Sequence, residues 1–109
     1  MSSDLENILA VDGVDFIAVG PNDLSGSVGL LGQTNHPKVV DLLERIIKIC
    51  RESNTVFFPS IGSGNIDNLK FWIERGTPMI ALDVDIGHLT ISGNNTLTIV
   101  KRIFKELPK

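Results

Sequence analysis

Val14-Asp15-Phe16-Ile17-Ala18-Val19-Gly20-Pro21-Asn22-Asp23-Leu24-Ser25-Gly26-Ser27-Val28-Gly29 is the stretch on which the reading of this chain turns. Val14 to Val19 is a short, mostly apolar run of the kind that forms a buried strand. Gly20-Pro21 stops it. Residues 20 to 36, rich in Gly, Asn and Ser, predict a long connection. Asn35-His36-Pro37 then opens a helix, with Pro37 suited to the first helical position. Val39, Val40, Leu42, Leu43, Ile46, Ile47, Ile49 and Cys50 recur at helical spacing. Asp41 with Arg45, and Glu44 with Lys48, are i,i+4 pairs for its polar side, and Glu52-Ser53-Asn54 closes it.

The same unit recurs downstream. Thr55 to Ile61 reads as a second strand, although Pro59 removes one ladder donor. Gly62-Ser63-Gly64 follows as a loop. Ile66, Leu69, Trp72 and Ile73 mark an amphipathic helix with Gly76 as its C′ residue. Pro78 to Val84 predicts a third strand, residues 85 to 95 a polar, glycine-containing loop, and Leu97, Val100, Ile103, Phe104 and Leu107 a last helix. Upstream, Ser3-Asp4-Leu5-Glu6 fits a capping box with Ser3 as N-cap, ahead of a short helix that Asp12-Gly13 breaks.

Strands alternating with helices predict βαβ units, hence an α/β fold with about three parallel strands. In such folds the loops after the strands carry the site. A sheet of that width leaves both edges open to pairing, and a complete (β/α)₈ barrel typically takes about 250 residues. The 109 residues are therefore expected to form a single unit, 1–109, either a small open sheet or a portion of a barrel completed by something else.

Composition narrows the function classes. The chain is 42% apolar and 21% charged, which argues against disorder. A net charge of -3 with scattered Lys and Arg leaves no basic footprint for nucleic acid. No apolar run is long enough to cross a bilayer. The N-terminus lacks the regions of a signal peptide. Cys50 is the single cysteine, so no disulfide framework or Cys-rich zinc site exists within the chain. These features lead us to expect a cytoplasmic protein that binds neither nucleic acid nor membrane.

The loop after the first strand holds the best candidate for chemistry. Gly20 allows close backbone approach and Pro21 stiffens the turn. Exposed N–H groups at a strand end can bind a carboxylate, and Asp23 beside them can hold a hard divalent cation. Together they suit an α-keto acid chelated to a metal. Asp23 could equally form an Asx turn or cap a short helix. His36 reads as a helix-start residue and Cys50 as inert core. Asp83, Asp85 and His88, at the end of the third strand, are weaker site candidates.

"VDGVDFIAVGPNDLSGSVG" followed by "HPKVVDLLERI" resembles the HpcH/HpaI aldolase family, metal-dependent (class II) pyruvate aldolases of the TIM-barrel class related to the citrate lyase β-subunit. "FPSIGSGNIDNLKFWIERGTPMIALDVDIGHL" is similar to the family's seventh and eighth strand regions. The resemblance runs from about Leu5 to about Leu89 and implies the C-terminal portion of a (β/α)₈ barrel. It implies Asp23 as one of two carboxylate ligands to Mg, Mn or Co. Gly20, Pro21, Asn22, Asp23 and Ser25 would form the binding loop, with backbone amides on the pyruvate carboxylate and Ser25 supporting the loop. The implied chemistry is cleavage or formation of a carbon–carbon bond to pyruvate from 2-keto-hydroxy acids, through Lewis-acid stabilisation of a pyruvate enolate.

The resemblance also implies that residues 96 to 107 are exchanged in a dimer contact. The family's second carboxylate, a Glu, and its catalytic His and Arg belong upstream of the segment matched here. No catalytic residue is therefore assigned within the chain, and a complementing N-terminal barrel segment or a homo-oligomer is the expected partner. Asp83 stands where the family usually has Gly. The alternative is a non-catalytic fragment, or an oligomerising or oxyanion-binding α/β module.

Overall fold

The computed structural model describes residues 2–62 and 66–109. The order of elements is α1 (Ser2–Leu9), β1 (Phe16–Val19), α2 (Pro21–Ser27), α3 (Pro37–Glu52), β2 (Val56–Ile61), α4 (Ile66–Glu74), β3 (Ala81–Leu82) and α5 (Asp85–Glu106). The strands form one parallel sheet in the order β1-β2-β3. β1 and β2 pair from Phe16↔Val56 to Val19↔Pro59, and β3 joins with Ser60↔Ala81 and Ile61↔Leu82. This is the predicted α/β architecture of three parallel strands alternating with helices.

Parallel pairing requires a crossover after each strand, and the crossovers cover one face of the sheet. On that face Phe57, Pro59 and Ile61 of β2 are buried with Val19 of β1. Val39, Leu43, Ile47, Ile49 and Cys50 of α3, Trp72 of α4, Leu5 of α1 and Leu24 of α2 belong to the same core. Trp72 meets Phe57 with ring centroids 6.3 Å apart and Phe71 at 5.3 Å, edge to face. On the other face Phe16, Ala18, Val56 and Ser60 are exposed and Phe58 is half-buried. The rings of Phe16 and Phe58 lie 5.5 Å apart there.

One polar hub clamps α3 to α4. The Arg75 guanidinium lies 3.5 Å from the centre of the Phe71 ring and its Nε donates to Glu44 Oε1 at 2.7 Å. Arg51 donates to the Arg75 carbonyl, closing the C-terminus of α4. Glu44 is thus engaged across helices with Arg75 rather than with Lys48, whose Nζ instead lies 3.8 Å from Glu52 Oε1.

Several boundaries differ from the sequence reading. α1 begins at Ser2, so Ser3 lies inside the helix rather than at its cap. β1 starts at Phe16 because Val14 belongs to the turn, its N–H donating to the Val11 carbonyl. The connection of residues 20 to 36 contains α2, nucleated by Pro21 at its first position. β2 keeps Pro59 inside it, and β3 joins only from Ser60 onward, past the missing N–H. The third strand is confined to Ala81–Leu82: Thr77 Oγ1 bonds the carbonyls of Phe57 (3.2 Å) and Met79 (2.8 Å) before it, and Asp83, at φ 57, ends it. Ile66 and Ile73 point to solvent rather than sharing the buried face of Trp72. Of the expected loop Gly62-Ser63-Gly64, the last two residues lie outside the described residues.

The largest correction concerns residues 85 to 95. They are not a loop but the first half of α5, a helix of 22 residues. Val84 is its N-cap residue, and the hydroxyls of Thr90, Thr96 and Thr98 fold back on the carbonyls of Ile86, Ser92 and Asn94. Ile86 and Leu89 extend the apolar spacing of Leu97, Val100 and Phe104 backward through Gly93. No residue of α5 is buried. The helix projects from the body, so the chain measures 68 × 28 × 23 Å and its radius of gyration is 18.5 Å, against about 13 Å for a compact chain of roughly this length.

Trp72→Ala is expected to cost about 3–5 kcal/mol of unfolding free energy, as a large ring lost from a packed core does. Leu97→Ala should change it by less than about 0.5 kcal/mol, because an exposed helix face contributes little. Urea titration at low chain concentration checks both. Equal losses would mean that α5 shares the core.

Candidate functional site

The carboxyl ends of all three strands lie on one edge of the sheet, as parallel pairing requires. There, α2 follows β1 with Gly20 as the only spacer. Gly20 is the N-cap residue, at φ -97 and ψ 97, and Pro21 begins the helix. The Leu24 N–H donates to the Gly20 carbonyl at 2.9 Å. Helix geometry leaves the N–H groups of Asn22 and Asp23 without intrahelical acceptors, and the N-cap residue, Gly20, makes no side-chain cap bond to them. The positive end of the helix favours an anion at this point.

Asp23 lies in the first turn, exposed, with its carboxylate folded back over Gly20. A Cβ on residue 20 would stand 2.5 Å from Asp23 Oδ2, so only glycine leaves the carboxylate where it is. Asn22 is exposed beside it, and Pro21 is buried beneath.

Ser25 anchors the loop. It is fully buried, and its hydroxyl donates to the Asn22 carbonyl at 2.7 Å while accepting from the Gly32 N–H at 3.1 Å. Its own carbonyl accepts from Leu30 at 2.8 Å. One side chain thus ties the first turn of α2 to the far end of the loop. His36 is the N-cap of α3, its Nδ1 accepting from the Lys38 N–H at 3.2 Å. Cys50 is buried, and burial pushes its thiol up from the ordinary thiol range.

Asp83, Asp85 and His88 cluster at the start of α5. Asp83 Oδ1 accepts from the Val84 N–H at 2.9 Å and Asp85 Oδ1 from the Ile86 N–H at 2.7 Å. The His88 ring nitrogen donates to the Leu82 carbonyl at 3.3 Å. All three are engaged with nearby backbone. Among the described residues no group of three or more His, Cys, Asp or Glu side chains could hold a metal ion. Asp23 therefore offers one hard oxygen donor, which fits a divalent cation as one ligand of a larger set. A cleft of about 220 Å³ lies behind the loop, between Pro21, Asn35, Asp67, Phe71 and Trp72. It takes in Pro21 but not Asp23. Two features of the site were missed in the sequence: the helical form of residues 21–27, for which Pro21 was the signal, and the dependence of Asp23 on Gly20, which has no sequence signal.

Residues 3–92 match the HpcH/HpaI aldolase/citrate lyase family. A hydroxypyruvate/pyruvate aldolase of Roseobacter denitrificans is 35% identical over 91 residues, covering 84% of this chain and 35% of that protein. A 4-hydroxy-2-oxo-heptane-1,7-dioate aldolase of Escherichia coli is 38% identical over 81 residues, covering 74% of this chain and 30% of that one. The crystal structure of an HpcH/HpaI aldolase from Desulfitobacterium hafniense superimposes with a TM-score of 0.79 at 34% identity, over 98% of this chain and 39% of the other. The chain thus spans about a third of the length of the relatives it matches.

Ser25→Ala is expected to destabilise the chain by about 1–3 kcal/mol, because it removes two part-buried hydrogen bonds, to the Asn22 carbonyl and from the Gly32 N–H, worth about 0.5–1.5 kcal/mol each. Thermal unfolding checks this, and a loss below about 0.5 kcal/mol would deny Ser25 the anchoring role.

Proposed function

The chain belongs to the HpcH/HpaI aldolase/citrate lyase family, and from that membership we propose that it carries the keto-acid end of an aldolase site. The reaction would break or form a carbon–carbon bond to pyruvate. One observation carries the reading: the Asp23 carboxylate is folded over Gly20 at the carboxyl end of β1, next to the uncapped N–H groups of Asn22 and Asp23.

The N–H groups would hold the carboxylate of the keto acid. Gly20 keeps the Asp23 oxygen in place, Pro21 fixes the turn, and Ser25 holds the loop. Asp23 would be one ligand to Mg, Mn or Co. A divalent cation bound there would supply Lewis acidity to the keto acid's carbonyl. Asp23 is a single carboxylate, so the remaining ligands and the proton-transferring groups would come from elsewhere in a complete barrel. The residues of the chain would act as one unit within it, in a reducing compartment suited to the lone thiol of Cys50.

Two uncovered surfaces support incorporation into something larger. Parallel sheets are found covered on both faces, whereas Phe16, Ala18 and Val56 are exposed on one face here. A complementing barrel segment would cover them. α5 carries Leu97, Val100, Ile103 and Phe104, all at least 41% exposed. We propose that this face packs against a second copy of the chain, giving a homo-oligomer. A second reading, an oligomerising module without catalysis, draws on the same two surfaces and on the absence, among the described residues, of a group of three or more side chains able to hold a metal ion.

Thermal unfolding with Mn²⁺ plus pyruvate separates the readings. Ligand at a hundred times its Kd stabilises the folded state by about 2.7 kcal/mol. Combined with a complementing N-terminal barrel segment that brings the remaining ligands, the chain should respond, and Asp23→Ala should not. An equal response from both, or from neither, removes Asp23 from the site and favours the module. Independently, Phe104→Glu should lower the solution mass to that of a single chain. An unchanged mass would remove α5 from the contact.

A further inference from the structure

Asp83 is the last residue before the N-cap of α5, and its backbone is left-handed at φ 57. That conformation suits glycine and is tolerated by Asp, whose short side chain bonds locally. Its N–H continues the sheet, donating to the Ile61 carbonyl at 2.8 Å. Its side chain turns the other way. Asp83 Oδ1 accepts from the Val84 N–H, and the carboxylate lies against the backbone of Gly87, one helical turn into α5.

The fit at Gly87 is close. A Cβ built there would overlap the Asp83 carboxylate, and its three nearest atoms are Oδ1, Cγ and Oδ2 of that one residue. A side chain at residue 87 would therefore have to displace the Asp83 carboxylate. A second hold comes from His88, whose ring reaches the carbonyl of Leu82, the last residue of β3. β3 and the first turn of α5 are thus joined by the backbone turn at Asp83, its carboxylate and the His88 ring.

The rest of α5 has no buried residue to set its direction. Its orientation is fixed at this one end. We propose that Asp83 and Gly87 form a latch that sets the direction in which α5 leaves β3, so that Asp83 is a positioning residue for the arm and not a ligand-binding carboxylate. The helix is 22 residues long, or about 33 Å at 1.5 Å per residue, so a change of launch angle of about 20° moves its far end by roughly 11 Å. The consequence for assembly rests on the reading of α5 as a contact between copies. The latch itself does not.

The proposal predicts a reversal of sign. With Asp83 present, Gly87→Ala pushes the carboxylate away from residue 87 and breaks its bond to Val84. The first turn of α5 loosens and the arm swings. With Asp83→Gly in place, the left-handed turn remains accessible and the space beside residue 87 is vacant. Ala is then simply the better helix former, and the same substitution strengthens the turn.

Spin labels at Lys48→Cys and Lys105→Cys, with labelled chain diluted in unlabelled chain, report the arm's direction within one molecule. Amide exchange in residues 86 to 91 reports the first turns. In the parent chain Gly87→Ala should shift or broaden the label distance by roughly 10 Å, the reach of the helix, and should speed exchange about fivefold. In the Asp83→Gly chain it should leave the distance alone and slow exchange about fivefold, the scale of the Gly-to-Ala propensity difference. Identical effects in both backgrounds, or no effect in either, would overturn the latch. If Gly87→Ala prevents folding in the parent chain, recovery of the fold in Asp83→Gly/Gly87→Ala supports the latch and failure to recover overturns it. Solution mass is read on the same samples: a mass indifferent to the arm's direction would count against α5 as a contact between copies while the latch stands.

Discussion

The rest of the structure depends on the seating of β2 under two helices. Phe57, Pro59 and Ile61 alternate toward α3 and α4, where Ile47, Cys50 and Trp72 close over them. Because β1, β2 and β3 are parallel, each must be followed by a return across the sheet. The returns bury one face and bring every strand's carboxyl end to one edge. The location of Asp23 and Asp83 along that edge follows from the pairing direction and needs no contact between them. The cost of the arrangement is the other face, where Phe16 and Val56 have no cover.

How much of this was legible in the sequence varies with how local the deciding interaction is. α3 could be read because eight apolar residues keep helical spacing between a Pro at its start and an Asn, at φ 53, just past its end. β1 could be placed because Gly20-Pro21 halts an apolar run. β3 could not be measured, because its length is set by Pro59 and Thr77, which act across the sheet. The first half of α5 was misread because Gly87, Gly93, Asn94 and Asn95 are poor helix formers. Its threonines satisfy their hydroxyls on the preceding turn, and the spacing of Ile86 and Leu89 carried the true signal.

The candidate site divides in the same way. Gly20 to Asp23 stood out as a strand end bearing a carboxylate, and the family resemblance gave it a chemistry. That a Cβ at residue 20 would displace the Asp23 carboxylate folded over it appears only in three dimensions. Asp83 shows the limit from the other side. Three polar residues gathered at a strand end looked like a possible ligand set, yet Asp83, Asp85 and His88 are each engaged with backbone at the start of a helix.

The packing of Trp72 has an optical consequence. It is the chain's single tryptophan and there is no tyrosine. The indole is 2% exposed, wedged between Phe57 and Phe71 in the body. Indole emission from this protein therefore originates at one point, on the buried side of α4. α5 holds no indole or phenol, its one phenyl ring being Phe104, so with excitation selective for indole the body's melting can be followed by its light without interference from the arm.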